Sequence, residues 1–149
     1  MNLKKYLNIA KSIAELSKDD TKVGAVLIGP NGEGGPWGYN GAPRGCSADE
    51  DERKDTRPEK YFWFEHAERN AIYSAARTGF STEGCSLVVT HFPCMDCARA
   101  IVQSGIKTVV VAPMDATFQK RWADHITRSQ SLFTECGVVV QWVTASNPP

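Results

Sequence analysis

The sequence predicts an α/β protein in which a mixed five-stranded sheet forms the middle of three layers, with helices on both sides. Two observations lead to this prediction. Apolar residues at helical spacing alternate along the 149 residues with short apolar runs rich in valine. The last three of these runs are separated by helical segments, which favours parallel strands, whereas the first two are joined by a short turn, which favours an antiparallel hairpin. The expected order is αββαβαβαβ.

The first third of the chain predicts one helix and the hairpin. Residues 2–17 carry apolar side chains every three or four positions, which is typical of a helix. The apolar run at 23–29 is the first strand, a Pro-Asn-Gly turn follows it, and residues 37–40 form the second strand. Because Pro36 has no backbone N–H to donate, we expect the second strand to lie at a sheet edge.

Residues 41–64 show no regular pattern, and their middle part is rich in charges. A solvated loop is the simplest interpretation. However, a loop longer than about 15 residues inside a compact domain is often functional. The aromatic residues Tyr61, Phe62 and Trp63 lie near the end of the segment.

The remaining chain alternates helices and strands. A helix over 65–78 is closed by Gly79, and a second helix over roughly 94–104 stands between Pro93 and Gly105. A single fourth helix is predicted from the apolar stripe of Phe118, Trp122, Ile126, Phe133 and Cys136. The three remaining strands are predicted at 86–91, 107–112 and 138–143.

Composition excludes several classes of protein. Lys plus Arg and Asp plus Glu both number 17, and this zero net charge argues against a nucleic-acid coat protein. No apolar run approaches the ~18 residues of a membrane helix, and residues 1–10 lack the apolar core of a signal peptide. We therefore expect one intracellular, cytoplasmic domain over residues 1–149, with no membrane partner.

In the reducing interior of a cell, the closely spaced pair Cys94 and Cys97 indicates metal or redox chemistry.

Two predicted helix starts carry the residues of a metal site. One begins with His66-Ala67-Glu68 and the other with Pro93-Cys94-Met95-Asp96-Cys97. Cys94 and Cys97 share one helix face, and a helix N-terminus favours the thiolate form that binds metals. With His66 they form a three-ligand set that suits Zn²⁺ and leaves a fourth position for water, as in catalytic sites.

The rest of the pattern supports catalysis. A structural zinc would need a fourth protein ligand, and the candidates His91, His125 and Cys85 do not have close ligand spacing to the cysteine pair. Glu68 is two residues from His66, so it points away from a shared ligand position, yet from the first helical turn it can line the pocket as a proton shuttle. The pattern H-x-E…P-C-x-x-C is the signature of zinc nucleobase deaminases.

Beyond this motif the chain resembles the deoxycytidylate (dCMP) deaminases of the cytidine deaminase-like superfamily, over about residues 3–143. The segments that carry the resemblance are Ser17–Val26, Gly38–Gly45, His66–Ile72 and Thr90–Ala98. Residues 34–37 and 113–122 depart from the family pattern, which bears on the exact substrate more than on the chemistry.

The resemblance implies a cytidine deaminase-like fold and a role for each motif residue. His66, Cys94 and Cys97 would hold one catalytic zinc, and Glu68 would move protons while a zinc-bound hydroxide attacks the cytosine ring. Asn40 would lie near the sugar hydroxyl, and the backbone of Ala67 near the pyrimidine carbonyl.

Further substrate-binding candidates come from the residues themselves. Arg44, in the turn after the second strand, could meet a phosphate, and Lys22, before the first strand, and Arg121 are weaker candidates. Phe92 is a candidate pocket wall. Asn40 could instead be a left-handed turn residue. The resemblance, in contrast, makes Cys46 the cysteine to examine for an additional zinc site.

The sequence thus predicts a zinc-dependent hydrolytic deaminase that converts dCMP to dUMP and ammonia. Alternatives are a deaminase of another cytosine or modified-cytosine nucleotide or nucleoside, a nucleic-acid-editing deaminase, and a non-catalytic zinc-binding module. The resemblance also implies a homo-oligomer, a hexamer or a related assembly, and raises dCTP and dTTP as effectors.

Overall fold

Five strands form one mixed sheet in the computed structural model, which describes residues 1–149. The strands are β1 (Gly24–Ile28), β2 (Gly34–Tyr39), β3 (Ser86–Val89), β4 (Thr108–Val111) and β5 (Val139–Trp142). Their order across the sheet is β2-β1-β3-β4-β5. Strand β1 runs antiparallel to β2 and to β3, while β3, β4 and β5 are parallel. The predicted hairpin and the predicted parallel strands are both confirmed.

Six helices surround this sheet. They are α1 (Leu3–Ala14), α2 (Glu59–Trp63), α3 (Ala67–Thr78), α4 (Met95–Gln103), α5 (Ala116–Arg121) and α6 (Ala123–Cys136). No helix is both long enough and apolar enough to cross a membrane.

The sheet separates two apolar cores, which produces the three layers. Side chains alternate in direction along a strand, so Val26 and Val88 face one side while Leu27 and Leu87 face the other. The first side packs against Leu7 and its neighbours on α1. The second, larger core is built with α3, α4 and α6. The site described below lies on this second side.

Helix α3 lies directly against the edge strand β2. A Cβ atom at Gly38 would stand only 2.5 Å from the backbone nitrogen of Ala71, so no larger residue fits without moving the helix. The Asn70 side-chain amide also donates to the Tyr39 carbonyl at 2.9 Å. These contacts fix α3, and with it the start of that helix, relative to the sheet.

The edge strand begins earlier than predicted. Residues 34–36 also belong to β2, and Gly34 pairs with Ile28 beyond a shift in register between Val26 and Ile28. Pro36 is accommodated because β2 is the outermost strand, so the predicted edge position is confirmed.

Two other predictions need correction. Residues 41–64 are not wholly irregular, because they contain short 3₁₀ turns at Ala48–Glu50 and Glu52–Lys54 and the helix α2. The single predicted fourth helix is two helices, α5 and α6, since the backbone leaves helical geometry at Trp122. Cys136, predicted on the apolar stripe, is exposed because the stripe turns away from the core after Phe133.

Candidate active site

A cavity of about 680 Å³ lies where α3 and α4 begin. We call His66, Glu68 and Cys94, which line the cavity, and Cys97, which is buried next to them, the floor. The walls come from the loop before β1, from α2, from the end of β3, and from α5 with the start of α6. The cavity therefore lies beside the carboxyl end of β3, where ligand sites of α/β proteins gather.

The three predicted metal ligands converge on the floor. His66 is the residue before the first turn of α3, and Cys94 is the residue before the first turn of α4. The Nδ1 atom of His66 stands 3.4 Å from the Cys94 sulfur and 3.5 Å from the Cys97 sulfur. All three ligand atoms lie within 4.8 Å of one another. Such spacing suits three ligands of one tetrahedral ion.

The charges of these groups favour a cation. A hydrogen bond from Cys97, together with His66, lowers the pKa of the Cys94 thiol to about 4. The same hydrogen bond to Cys94 and the burial of Cys97 raise the pKa of the Cys97 thiol. The pair thus shares one proton, which a metal ion must displace to bind both sulfurs as thiolates.

Glu68 lies beside the ligands without being one of them. It is the second residue of α3, only 4% exposed, and it lines the cavity. Its burial raises the pKa of its carboxyl group. A carboxyl group whose pKa is raised toward neutrality can both accept and donate a proton during a reaction. The first-turn position predicted from the sequence is confirmed.

Charged side chains connect the two helix starts. Arg69 on α3 pairs with Glu65 just before His66, and its guanidinium lies 3.8 Å from the Asp96 carboxylate on α4. The Glu65 carboxylate also accepts a hydrogen bond from the His66 backbone N–H. Glu65, Arg69 and Asp96 all line the cavity. This network holds the histidine ligand and the cysteine-bearing helix in register.

The donor set fits zinc as the sequence predicted. Two sulfurs and one imidazole are ligands that Zn²⁺ prefers, and three protein ligands leave one position for water. None of the proposed fourth ligands joins them. The Nδ1 atom of His91 contacts the Thr90 hydroxyl, and the Nδ1 atom of His125 accepts a hydrogen bond from the Met95 N–H. The Cys85 thiol donates to the Ser81 carbonyl. Cys46 belongs to no such cluster.

Three of the five predicted substrate-binding residues line the cavity, namely Asn40, Ala67 and Phe92. The Asn40 amide is held firmly, because it accepts from the Val23 N–H and donates to the Thr21 carbonyl, both at 2.8 Å. No residue other than glycine has a positive φ, so the left-handed turn considered for Asn40 is wrong.

The structure does not bring Arg44 and Lys22 to the cavity. The Arg44 guanidinium donates to the Ser74 hydroxyl on α3 at 3.0 Å. The Lys22 ammonium instead pairs with Glu15 at 3.6 Å. Neither side chain is among those that line the cavity. Both residues are close in the chain to residues that line the cavity, but their own side chains lie exposed on the outer surface.

Other cationic side chains line the cavity instead. Arg57 and Arg121 are exposed and, together with Tyr61, form what we call the mouth of the cavity. A hydrogen bond from Arg57, with further contributions from Arg121, lowers the pKa of the Tyr61 hydroxyl. Lys60 lies deeper and forms an ion pair with Asp19 at 2.8 Å. Arg57 and Lys60 were not predicted, because nothing in an irregular charged segment indicates which side chains turn inward.

Comparison with known proteins decides the family. Residues 1–113 match the family described as the cytidine and deoxycytidylate deaminase zinc-binding region. The chain belongs to this deaminase family. The matched region contains all four floor residues, whereas Arg121, Trp122 and His125 lie beyond it.

Individual members of the deaminase family agree with this assignment. The chain is 41% identical to an uncharacterized deaminase of the luxG 3′ region in Aliivibrio fischeri, over 94% of this chain and 92% of that protein. It is 36% identical to the deoxycytidylate deaminase of Homo sapiens, over 89% and 74% of the two chains. Among solved structures, the dCMP deaminase of cyanophage S-TIM5 in complex with dCMP and dUMP superposes with a TM-score of 0.75 at 29% identity, over 94% and 95% of the chains.

Proposed function

We propose that this deaminase hydrolyses dCMP to dUMP and ammonia in a zinc-dependent reaction. The observation that supports this most strongly is the floor itself, where His66, Cys94 and Cys97 converge beside a buried Glu68. The structural similarity to a dCMP deaminase that binds dCMP and dUMP supports the choice of nucleotide.

Each floor residue has a distinct part. Zinc, when bound by His66, Cys94 and Cys97, supplies the Lewis acidity that activates a water molecule. Glu68 would take a proton from the attacking water and deliver it to N3 of the cytosine ring as the water oxygen bonds to C4. It would then take the proton of the new C4 hydroxyl and pass it to the C4 amino group, which leaves as ammonia while the C4 carbonyl of uracil forms. The buried position of Glu68 suits these steps, because its raised pKa lets it hold a proton between them.

The wall near the floor is proposed to bind the base and the sugar. The backbone of Ala67 lies one residue from His66 and faces the same cavity. Phe92, buried against Phe133 and Trp142, offers an apolar surface to a pyrimidine ring. The Asn40 amide is already oriented by Thr21 and Val23, so it can donate to or accept from a sugar hydroxyl without reorganising.

The mouth is proposed to bind the phosphate. A nucleoside monophosphate carries about two negative charges near neutral pH. Arg57 and Arg121 both line the cavity and form no ion pair with an acidic side chain, whereas Lys60 is neutralised by Asp19. Two unpaired guanidinium groups match the charge and the geometry of one phosphate.

A substrate panel tests the proposed function. Ammonia release is measured with dCMP, CMP, dCTP, deoxycytidine, 5-substituted dCMP and single-stranded DNA, with dCTP and dTTP also added as effectors of the dCMP reaction. We expect dCMP or a 5-substituted dCMP to give the highest kcat/KM. Release from single-stranded DNA alone would replace this function by nucleic-acid editing. No release from any substrate, at one zinc per chain, would leave only a zinc-binding module.

We also propose that the enzyme forms a homo-oligomer. Tyr61, Phe62 and Trp63 are 58%, 77% and 40% exposed, so these aromatic side chains do not cover the core of their own chain. Exposed aromatic clusters are enriched at protein interfaces. Light scattering at micromolar concentration should give a multiple of 16.4 kDa. A mass equal to a single chain would contradict the proposal.

A further inference from the structure

His125 joins helix α6 to the first residue of helix α4. Its Nδ1 atom accepts a hydrogen bond from the Met95 backbone N–H at 3.1 Å. Met95 directly follows the ligand Cys94, so one peptide unit separates the imidazole from a cysteine that holds the metal. His125 belongs to the part of the chain beyond the zinc-binding region, and no sequence spacing connects it to the cysteine pair.

The start of α4 needs this contact. The first N–H groups of a helix have no partner within the helix, and a capping side chain normally accepts from one of them. Cys94 occupies the capping position, but its side chain makes no capping hydrogen bond to the helix, and its sulfur faces His66. Its carbonyl accepts only from Ala98, at 2.8 Å. The His125 ring therefore supplies the partner that the Met95 N–H would otherwise lack.

The His125 ring is itself held in place. Trp122 packs against it edge to face, with 5.6 Å between the ring centres. Because Nδ1 accepts a hydrogen bond, the proton of the neutral ring is on Nε2. The ring is half-buried in the cavity wall and does not join the metal ligands.

We propose that His125 is a positioning residue that fixes the Cys94 backbone so that both cysteine sulfurs point at the metal. Residues that orient metal ligands commonly change metal affinity by about 10–100-fold when they are removed. Since His125 acts through the neighbouring peptide, we expect its removal to lower the zinc affinity by about tenfold, at the lower end of that range. The proposal rests on the zinc site of the proposed function but not on which nucleotide is the substrate.

The test measures zinc retention in the holoenzyme and uses two substitutions with opposite chemistry. His125→Asn keeps a side-chain acceptor close to the position of Nδ1, whereas His125→Phe keeps a flat ring against Trp122 but has no acceptor. In a competition with a chromogenic chelator, we expect His125→Phe to lose zinc about tenfold more readily than the wild type. His125→Asn should restore most of the retention. The Co²⁺-substituted enzymes should show a shifted visible absorption band for His125→Phe alone.

His91→Phe is the matched control, because His91 also lines the cavity but its Nδ1 contacts only the adjacent Thr90 hydroxyl. Its zinc retention should equal that of the wild type. Equal retention by folded His125→Phe, checked by circular dichroism, or equal losses by His125→Asn and His125→Phe, would overturn the proposal. A wild type that holds no zinc would instead refute the proposed function.

Discussion

The floor and the mouth of the cavity differ in how the chain builds them. The floor comes from two short motifs at helix starts, and its glutamate and both cysteines are buried. The mouth consists of exposed side chains from α5, from α2 and from the segment just before α2, and α5 is more than fifty residues from the other two in the chain. This contrast separates two properties of the enzyme. On the proposed roles, local sequence determines the reaction at the floor, whereas the tertiary fold determines which substrate the mouth accepts.

Removal of the metal ligands should have the largest effect on the floor. In a variant carrying both Cys94→Ala and Cys97→Ala, only His66 remains of the three ligands. Zinc analysis should show no bound metal, and deamination should fall to background, because one imidazole cannot hold the ion. Cys136→Ala is the control, since Cys136 is exposed and distant from the cluster. Full zinc content in the double variant would place the metal elsewhere.

Glu68→Gln should stop catalysis while zinc remains bound. Glutamine has nearly the same shape but cannot take up and return a proton. We expect kcat to fall by at least about 10²–10⁴-fold for every substrate, with zinc content unchanged. Steady-state kinetics measure kcat, and metal analysis of the same preparation measures the zinc content. An active Glu68→Gln enzyme would remove Glu68 from the mechanism.

Changes at the mouth should affect binding of the nucleotide alone. Replacement of Arg121 or Arg57 by alanine removes one proposed charged partner of the phosphate, and the loss of such a partner should cost roughly 1.5–3 kcal/mol, or about 10–100-fold in KM for dCMP. The KM for deoxycytidine should not change, because it carries no phosphate. Arg44→Ala is the matched control, since that guanidinium contacts Ser74 outside the cavity. If Arg44→Ala alone raised the KM for dCMP, the phosphate would bind at the turn first predicted from the sequence.

The smallest effect concerns the stability of the segment between floor and mouth. Lys60 is 16% exposed and its partner Asp19 is 4% exposed, so Lys60→Met leaves a buried carboxylate without its cation. We expect the free energy of unfolding to fall by about 1–3 kcal/mol in urea denaturation. Lys18→Met is the control, because its side chain and that of its partner Glu50 are 54% and 66% exposed, so solvent screens this ion pair and its loss should change the stability much less. Equal losses of unfolding free energy in both variants would show that burial of the Asp19–Lys60 pair does not add to stability.

The same contrast explains what the sequence could predict. His66, Glu68, Cys94 and Cys97 were predictable because helix starts and i, i+3 spacing are local properties. The sheet was predictable for the same reason, since valine-rich runs and helices alternate and connection type decides strand direction. The helix break at Trp122 has no proline or glycine to mark it, so the stripe from Phe118 to Phe133 predicts one continuous helix.

The mouth could not be predicted in this way. Arg44 was a reasonable phosphate ligand by its place in a glycine-containing turn, but its side chain turns toward α3. Arg57 stands in a charged segment where local sequence does not distinguish an inward side chain from a solvated one. Only the packing of that segment and α5 around the cavity selects Arg57 and Arg121.

The central claim, that the floor performs the reaction and the mouth selects the nucleotide, is tested most directly by one ratio. The kcat/KM for dCMP is divided by that for deoxycytidine, in the wild type and in a variant carrying Arg57→Ala and Arg121→Ala. We predict that the ratio falls by about 100-fold or more in the variant, while kcat/KM for deoxycytidine stays constant. A ratio near one in the wild type, or an unchanged ratio in the variant, would contradict the claim.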